Sequence, residues 1–375
     1  MFEIFDATES GRNRESFDDI SWDSKKTSGA FNTDFNEICA SVLNVQAHPK
    51  IIQSKGDRVQ CQHFIVDPCS TKATMLALSA SKNICSLYLN GCALNDVSLN
   101  LIRIALPNTS ITTLAVDYNN TTGCNDVTAL CSLASVETLT SLSLRGNQLG
   151  AGENVSILCR ILKTNSSIKS LSLYRNKLGN QGTIAISRLL RFNKTLKNIS
   201  LSANGIGCIG LRELLTSITR YQLDQDGIDS RNMMSNITVE QEDDDGKKKK
   251  KKKKSKKNDN AQKLDEILEG GVCEKDKDGN DIEGSEKAVV GTICRGNTEV
   301  VCLDLSCNFE MGVADGEGSE ILKEFVLNKT NKDDLLLGGL NTLDLNGCGL
   351  AEEQRMMNFL KEVNTERSVS RNESK

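Results

Sequence analysis

The chain has 375 residues, a formal net charge of −4, 4% aromatic residues, and 14 cysteines against two histidines. A charge so near zero gives no long-range field of the kind that draws in nucleic acid. Two histidines leave little material for Ser–His or Cys–His catalysis, and scarce aromatics leave the packing to Leu and Ile. No run of about 18 apolar residues is present to cross a membrane.

Met1 to Asp19 has neither the basic start nor the apolar run of a signal peptide. A cytoplasmic or nuclear chain with reduced thiols is the expectation. Residues 1–34 are polar and mixed in charge, which predicts a disordered tail with Phe2, Phe5, Ile20 and Trp22 as isolated apolar points. Ile20-Ser21-Trp22 reads either as a short docking motif or as part of a solvated tail. Residues 35–83 are expected to form an N-terminal cap: a helix over Phe35 to Val45 with Asp34 as its cap, a degenerate strand over Val59 to Val66, and a helix over Ala73 to Ser81.

From Ile84 one frame recurs. Its copies are Ile84/Leu87/Leu89/Cys92/Leu94, Ile111/Leu114/Val116/Asn119, Leu139/Leu142/Leu144/Asn147/Leu149, Ile168/Leu171/Leu173/Asn176/Leu178 and Leu196/Ile199/Leu201/Asn204/Ile206. Two more occur at Val300/Leu303/Leu305/Asn308 and Leu340/Leu343/Leu345/Cys348/Leu350. In the first five copies the second apolar position advances by about 28 residues. Apolar residues two apart are strand period, with both side chains on one face. The Asn or Cys then turns the chain, and a buried Asn can satisfy the backbone groups a turn leaves open. The rest of each unit has helical spacing, as in Val155, Leu158, Ile161 and Leu162, or Leu211, Leu214, Leu215 and Ile218. Strands alternating with helices in one direction predict a parallel sheet with helices along it.

This frame resembles the leucine-rich repeat family in its ribonuclease-inhibitor-like subtype. The junctions Asn108-Thr109-Ser110-Ile111, Asn165-Ser166-Ser167-Ile168 and Asn193-Lys194-Thr195-Leu196 match it as well, and the resemblance runs from Lys82 to Glu362. It implies an α/β solenoid with a curved parallel sheet inside, helices outside, and about seven repeats plus caps. Repeats one to five would occupy 84–220 and repeats six and seven 298–350, with a C-terminal cap helix and tail over 351–375. The cap helix is expected over Ala351 to Val363, and a further loop around Gly312 to Gly318. The same junctions account for the sequons at Asn108, Asn165 and Asn193 without invoking glycans.

Residues 221–297 interrupt the frame as an acidic and Lys-rich insertion, expected to be disordered, with a brief helix over Ala261 to Leu268. Glu240, Glu242, Asp243, Asp244 and Asp245 precede Lys247, Lys248, Lys249, Lys250, Lys251, Lys252, Lys253, Lys254, Lys256 and Lys257. The run reads as a nuclear localisation signal engaging an import receptor, or as a low-complexity expansion in a tolerant loop. No aromatic residue interleaves it, so base stacking has no support. Asp276 to Asp281 opens like a calcium loop, but Asp281 stands at the sixth place, where Gly is needed, and Lys287 at the twelfth, where Glu is needed. His48 and His63 stand alone, and no CxxC pair suggests zinc. No catalytic, cofactor-binding or metal residue is assigned.

The positions flanking each strand leucine face away from the core. They read Tyr88, Ala115, Ser143, Ser172, Ser200, Asp304 and Asp344, then Asn90, Asp117, Arg145, Tyr174, Ser202, Ser306 and Asn346. Binding hot spots favour Tyr, Trp and Arg. Tyr88, Asp117, Tyr118, Arg145, Tyr174 and Arg175 are therefore the candidate protein-binding residues, against the alternative of a solvated sheet face. The expectation is a monomeric, non-catalytic scaffold that binds a protein partner on the concave face, with no membrane and no nucleic-acid role. The Ran GTPase-activating proteins are similar in repeat subtype, which implies a second reading: a regulator of a small GTPase. That resemblance assigns no catalytic residue.

Overall fold

Leu87 and Leu89 are fully buried on one side of a five-residue strand while Tyr88 between them stays half-buried on the other. That alternation sets the sheet. The computed structural model describes residues 27–41, 53–120, 127–222, 229, 293–295, 297, 299–313, 317–327, 340 and 342–350. Its elements in chain order are α1 (Phe31–Ser41), β1 (Gln53–Lys55), β2 (Arg58–Gln62), α2 (Pro68–Ala80), β3 (Ser86–Asn90), α3 (Asp96–Ala105), β4 (Thr113–Ala115), α4 (Thr128–Ser132) and β5 (Ser141–Ser143). Next come α5 (Glu153–Thr164), β6 (Ser170–Ser172), α6 (Gly179–Phe192), β7 (Asn198–Ser200), α7 (Cys208–Ile218) and β8 (Arg220–Gln222). Beyond the interruption are β9 (Ile293–Arg295), β10 (Cys302–Asp304), α8 (Glu310–Val313), α9 (Glu317–Leu327) and β11 (Thr342–Asp344).

Among the described residues, nine strands form one sheet in the order β1-β2-β3-β4-β5-β6-β7-β10-β11. Only β1 and β2 pair antiparallel; every later pair is parallel. The second apolar position of each sequence copy stays in register across the sheet, through Leu87, Leu114, Leu142, Leu171, Ile199, Leu303 and Leu343. Helices lie alongside and pack on one another: α5 on α6, α6 on α7, and α7 on α9. This mixed, mostly parallel arrangement is consistent with an α/β solenoid. Leu158, Leu162, Leu189, Leu190, Leu211, Leu214 and Leu215 close the space between helices and sheet. No helix among the described residues is long and apolar enough to cross a membrane.

Two ladders of buried asparagine tie consecutive units together. In the first, the Asn147 Oδ1 accepts from the Asn119 N–H at 2.8 Å, and its Nδ2 donates to the Val116 carbonyl at 3.0 Å. Asn176 and Asn204 repeat the pattern one and two units on. Where Cys replaces Asn, the Cys92 thiol donates to the Cys61 carbonyl at 3.4 Å and the Cys348 thiol to the Leu305 carbonyl at 3.1 Å. The second ladder lies at the helix-to-strand junctions. Asn165, Asn193 and Asn297 each accept from backbone N–H groups two and three residues ahead, and each donates back to a carbonyl of the preceding unit. Asn165 and Asn193 are thus buried in the folded chain, so these two sequons serve backbone satisfaction.

Several boundaries differ from those the sequence suggests. The first helix starts at Phe31 rather than Phe35, because Phe31 and Phe35 stack with ring centroids 5.7 Å apart and share one buried stripe with Ile38 and Cys39. Asp34 therefore lies inside the first turn. Its carboxylate reaches back to the Ser28 N–H and hydroxyl and to the Gly29 N–H. The early strand ends at Gln62, and α2 begins at Pro68, capped by Asp67, which accepts from the Ser70 N–H at 2.6 Å. Of the loop expected around Gly312 to Gly318, residues 314–316 lie outside the described residues, and its two ends belong to α8 and α9. Both glycines sit where a side chain would strike backbone: Gly312 against Cys348 and Gly349, Gly318 against Met311. At the neck of the interruption, β8 and β9 pair antiparallel as a separate ribbon. The lysine run, the helix expected at Ala261 to Leu268, the acidic loop at Asp276 to Asp281, the Ile20-Ser21-Trp22 segment and the C-terminal cap helix lie outside the described residues.

Candidate interaction face

The sheet face away from the helices carries the outward columns. The first runs Gln60, Tyr88, Ala115, Ser143, Ser172, Ser200, Asp304 and Asp344 from strand to strand. Seven of these eight are polar, three of them serines, and Tyr88 is the one aromatic member, half-buried.

Just past each strand the chain bends through a residue with positive φ: His63, Gly91, Tyr118, Gly146, Arg175, Ala203, Cys307 and Gly347. Each of the first seven donates its N–H to a carbonyl of the next unit, as Tyr118 does to Arg145 at 2.7 Å and Arg175 to Ser202 at 3.1 Å. The bend thus leaves the backbone ladder intact while the chain turns toward the next helix. Left-handed backbone is costly for residues with a Cβ. Bulky and bare residues alternate along part of this column. The Tyr118 ring lies over Gly146 so closely that a Cβ at Gly146 would overlap it, and His63 lies over Gly91 in the same way.

Arg145 and Tyr174 occupy one column on neighbouring strands, and the guanidinium carbon stands 4.8 Å from the Tyr174 ring centroid. Arg145 and Arg175 are exposed, and Tyr118 and Tyr174 are half-buried beside them. Five of the six candidate residues, Tyr118, Arg145, Tyr174, Arg175 and Asp117, come together around β4 to β6. Tyr88 lies on β3, one strand further toward the N-terminus.

Asp117 is placed differently from its neighbours. It is only 6% exposed, and its Oδ1 accepts from the Ser143 hydroxyl at 2.6 Å and the Arg145 N–H at 2.9 Å. Burial pushes its carboxyl above the usual aspartate range, against the pull of Ser143, the Arg145 N–H and the Arg145 guanidinium. It fixes the strand end that carries Arg145 and presents little surface of its own. Asp304 plays a similar part farther along, accepting from Ser200, the Ser306 N–H and the Ser306 hydroxyl.

Lys177 was not among the sequence candidates. It is exposed two residues past Arg175 and donates to the Gln148 side chain at 2.8 Å. Its signal in the sequence is positional: it comes directly after the ladder Asn176, as Gln148 does after Asn147. No group of three or more His, Cys, Asp or Glu side chains suited to a metal ion occurs among the described residues. Cys92, Cys131, Cys159 and Cys348 are buried, in the apolar slots of the frame.

The face can therefore offer hydrogen-bonding hydroxyls, two tyrosines and three cations at one locality, with a rigid backbone beneath. No family model matches the chain, and comparison with curated proteins returns no match.

Proposed function

We propose that the chain is a non-catalytic protein-interaction scaffold of the leucine-rich repeat kind, ribonuclease-inhibitor-like in subtype, that takes a protein partner on the open face of its sheet. The observation that carries this reading is the Arg145–Tyr174 stack, set among exposed polar side chains on a sheet whose other face is filled by buried leucines. Arginine and tyrosine are the residue types that anchor interfaces, and here they stand on a rigid ladder, so little ordering cost accompanies binding. The recurring frame from Ile84 to Leu350 supports the family assignment.

The test is affinity capture with the full chain against a Tyr88→Ala/Arg145→Ala/Tyr174→Ala variant. A partner bound through this face is retained by the parent chain and lost by the variant. Capture of the same partners by both would remove the assignment of the face. GTP hydrolysis by a panel of small GTPases, with the chain present in substoichiometric amount, tests the absence of a catalytic role. Stimulation would replace the scaffold reading with that of a GTPase regulator.

A further inference from the structure

Three exposed cations, Arg145, Arg175 and Lys177, follow two neighbouring strands of the sheet, β5 and β6. Arg145 lies two residues past β5, and Arg175 and Lys177 follow β6, the neighbouring strand. The Gly146 N–H donates to the Tyr174 carbonyl at 2.8 Å and draws these two strand ends together. Ion pairs elsewhere in the described residues include Arg58–Asp57, Arg191–Glu213 and Arg212–Glu324. The carboxylate beside them, Asp117, is turned inward and engaged by Ser143 and the Arg145 N–H.

We propose that Arg145, Arg175 and Lys177, framed by Tyr118 and Tyr174, receive an acidic segment of a partner protein through its Asp or Glu side chains. This rests on the reading of the open face as an interaction face, and adds to it the chemistry of the partner. Charge complementarity is the argument. Exposed guanidinium groups present a planar fork that matches a carboxylate in two parallel hydrogen bonds. Arg145 is already held against the Tyr174 ring, so less of its rotamer freedom remains to be lost. Tyr118 and Tyr174 offer ring faces and hydroxyls to the backbone of the incoming segment. The far end of the same face sets the direction. Asp304 and Asp344 sit side by side on β10 and β11 and repel a second acidic stretch there. The segment therefore lies over β5 and β6, with its more neutral part toward β10.

The test uses a fluorescein-labelled peptide of alternating Glu and Gly, its Gln–Gly counterpart, a phosphoserine–Gly peptide and a single-stranded oligonucleotide of equal length. Binding is read by fluorescence anisotropy at low and at physiological salt. Because Lys247 to Lys257 also attract anions, the full chain is assayed both as it is and with the lysines of that run replaced by serine. In the serine background the Glu–Gly peptide is expected to bind and the Gln–Gly peptide to fail. Arg145→Glu with Arg175→Glu should weaken the Glu–Gly complex about tenfold, since two attractions become two repulsions. Arg58→Glu, on the same sheet but at β2, should leave it unchanged. Urea midpoints of all three chains verify that they fold alike.

Equal binding by the Arg145→Glu/Arg175→Glu chain, no binding of the Glu–Gly peptide in the serine background, or tighter binding of the phosphoserine peptide or the oligonucleotide would each overturn the proposal. If a protein partner is lost on Tyr88→Ala/Arg145→Ala/Tyr174→Ala substitution while the charge reversal changes nothing, the acidic assignment falls and the scaffold reading stands. If neither set of substitutions changes any binding, both fall.

Discussion

Replacing Asn176 by Ala should cost more stability than the loss of a three-atom polar group suggests. Asn176 is fully buried. Its Oδ1 accepts from the Asn147 N–H at 3.0 Å and the Leu149 N–H at 3.4 Å, and its Nδ2 donates to the Leu144 carbonyl at 2.9 Å and the Tyr174 carbonyl at 3.4 Å. Alanine would strand two of these backbone groups outright, the Asn147 N–H and the Leu144 carbonyl. Each buried group left unsatisfied costs about 1–3 kcal/mol, so the expected loss is about 4 kcal/mol, with the two longer bonds adding little. Urea unfolding monitored by circular dichroism measures that loss, and hydrogen exchange should show the Asn147 amide deprotected ahead of the rest of the ladder. Asn176→Cys provides an internal control. In the native chain Cys92 fills the same slot, donating to Cys61 and accepting a backbone hydrogen bond from Phe64. The Cys variant should therefore lose about half as much as the Ala variant, because a thiol is a weak donor and a weak acceptor. A loss below about 1 kcal/mol for Asn176→Ala would refute the reasoning, since the orphaned groups would then have found other partners.

Gly146→Ala should destabilise by about 2–3 kcal/mol, because it combines a left-handed backbone with a Cβ that overlaps the Tyr118 ring. Adding Tyr118→Ala should recover the overlap but not the backbone strain, so a double-mutant cycle would return a favourable coupling. For Asp117 the sign comes from its raised carboxyl: the folded chain holds that proton more tightly than the unfolded chain does. Its contribution grows as pH falls through the raised folded value and is complete below the ordinary aspartate value. Between neutral and acidic pH the parent should thus gain stability relative to Asp117→Asn, in urea midpoints taken across that window; a constant difference would contradict the buried placement. Tagged chain with the lysines between Lys247 and Lys257 changed to serine should leave the nucleus if the run is an import signal, and an unchanged distribution would leave it a low-complexity tract.

The register of the sheet was legible because the hydrophobic frame is strictly local: Leu142 and Leu144 two apart, Asn147 three further on. The asparagine slots were legible for the same reason, since a buried Asn at a strand end has few other uses. What escaped the sequence depends on distant partners. Asp117 looked outward by alternation, yet it is held inward by Ser143 and Arg145, 26 and 28 residues away. The β8–β9 ribbon joins segments whose own composition carries no strand pattern. Asp34 looked like a helix cap because Asp commonly is one, and only the burial of Phe31 moves the helix start ahead of it. In the candidate site, the tyrosines and arginines were found by residue type. The pairing of Tyr118 with Gly146 was not, because it requires knowing that both residues have the same bend.

The interruption also bears on chain entropy. Asn204 meets Asn308 across 104 residues, where Asn176 meets Asn204 across 28. Loop-closure entropy grows only with the logarithm of length, so by that relation the longer step would cost only about 1 kcal/mol more than an ordinary one. The ribbon of β8 and β9 holds the two ends of the interruption together, and β10 pairs with β7 beyond it. Doubling the interrupting segment would add about 0.6 kcal/mol by the same relation. Length at that point is nearly neutral for the fold, so the number of lysines there is free to drift without any signal in the stability of the sheet.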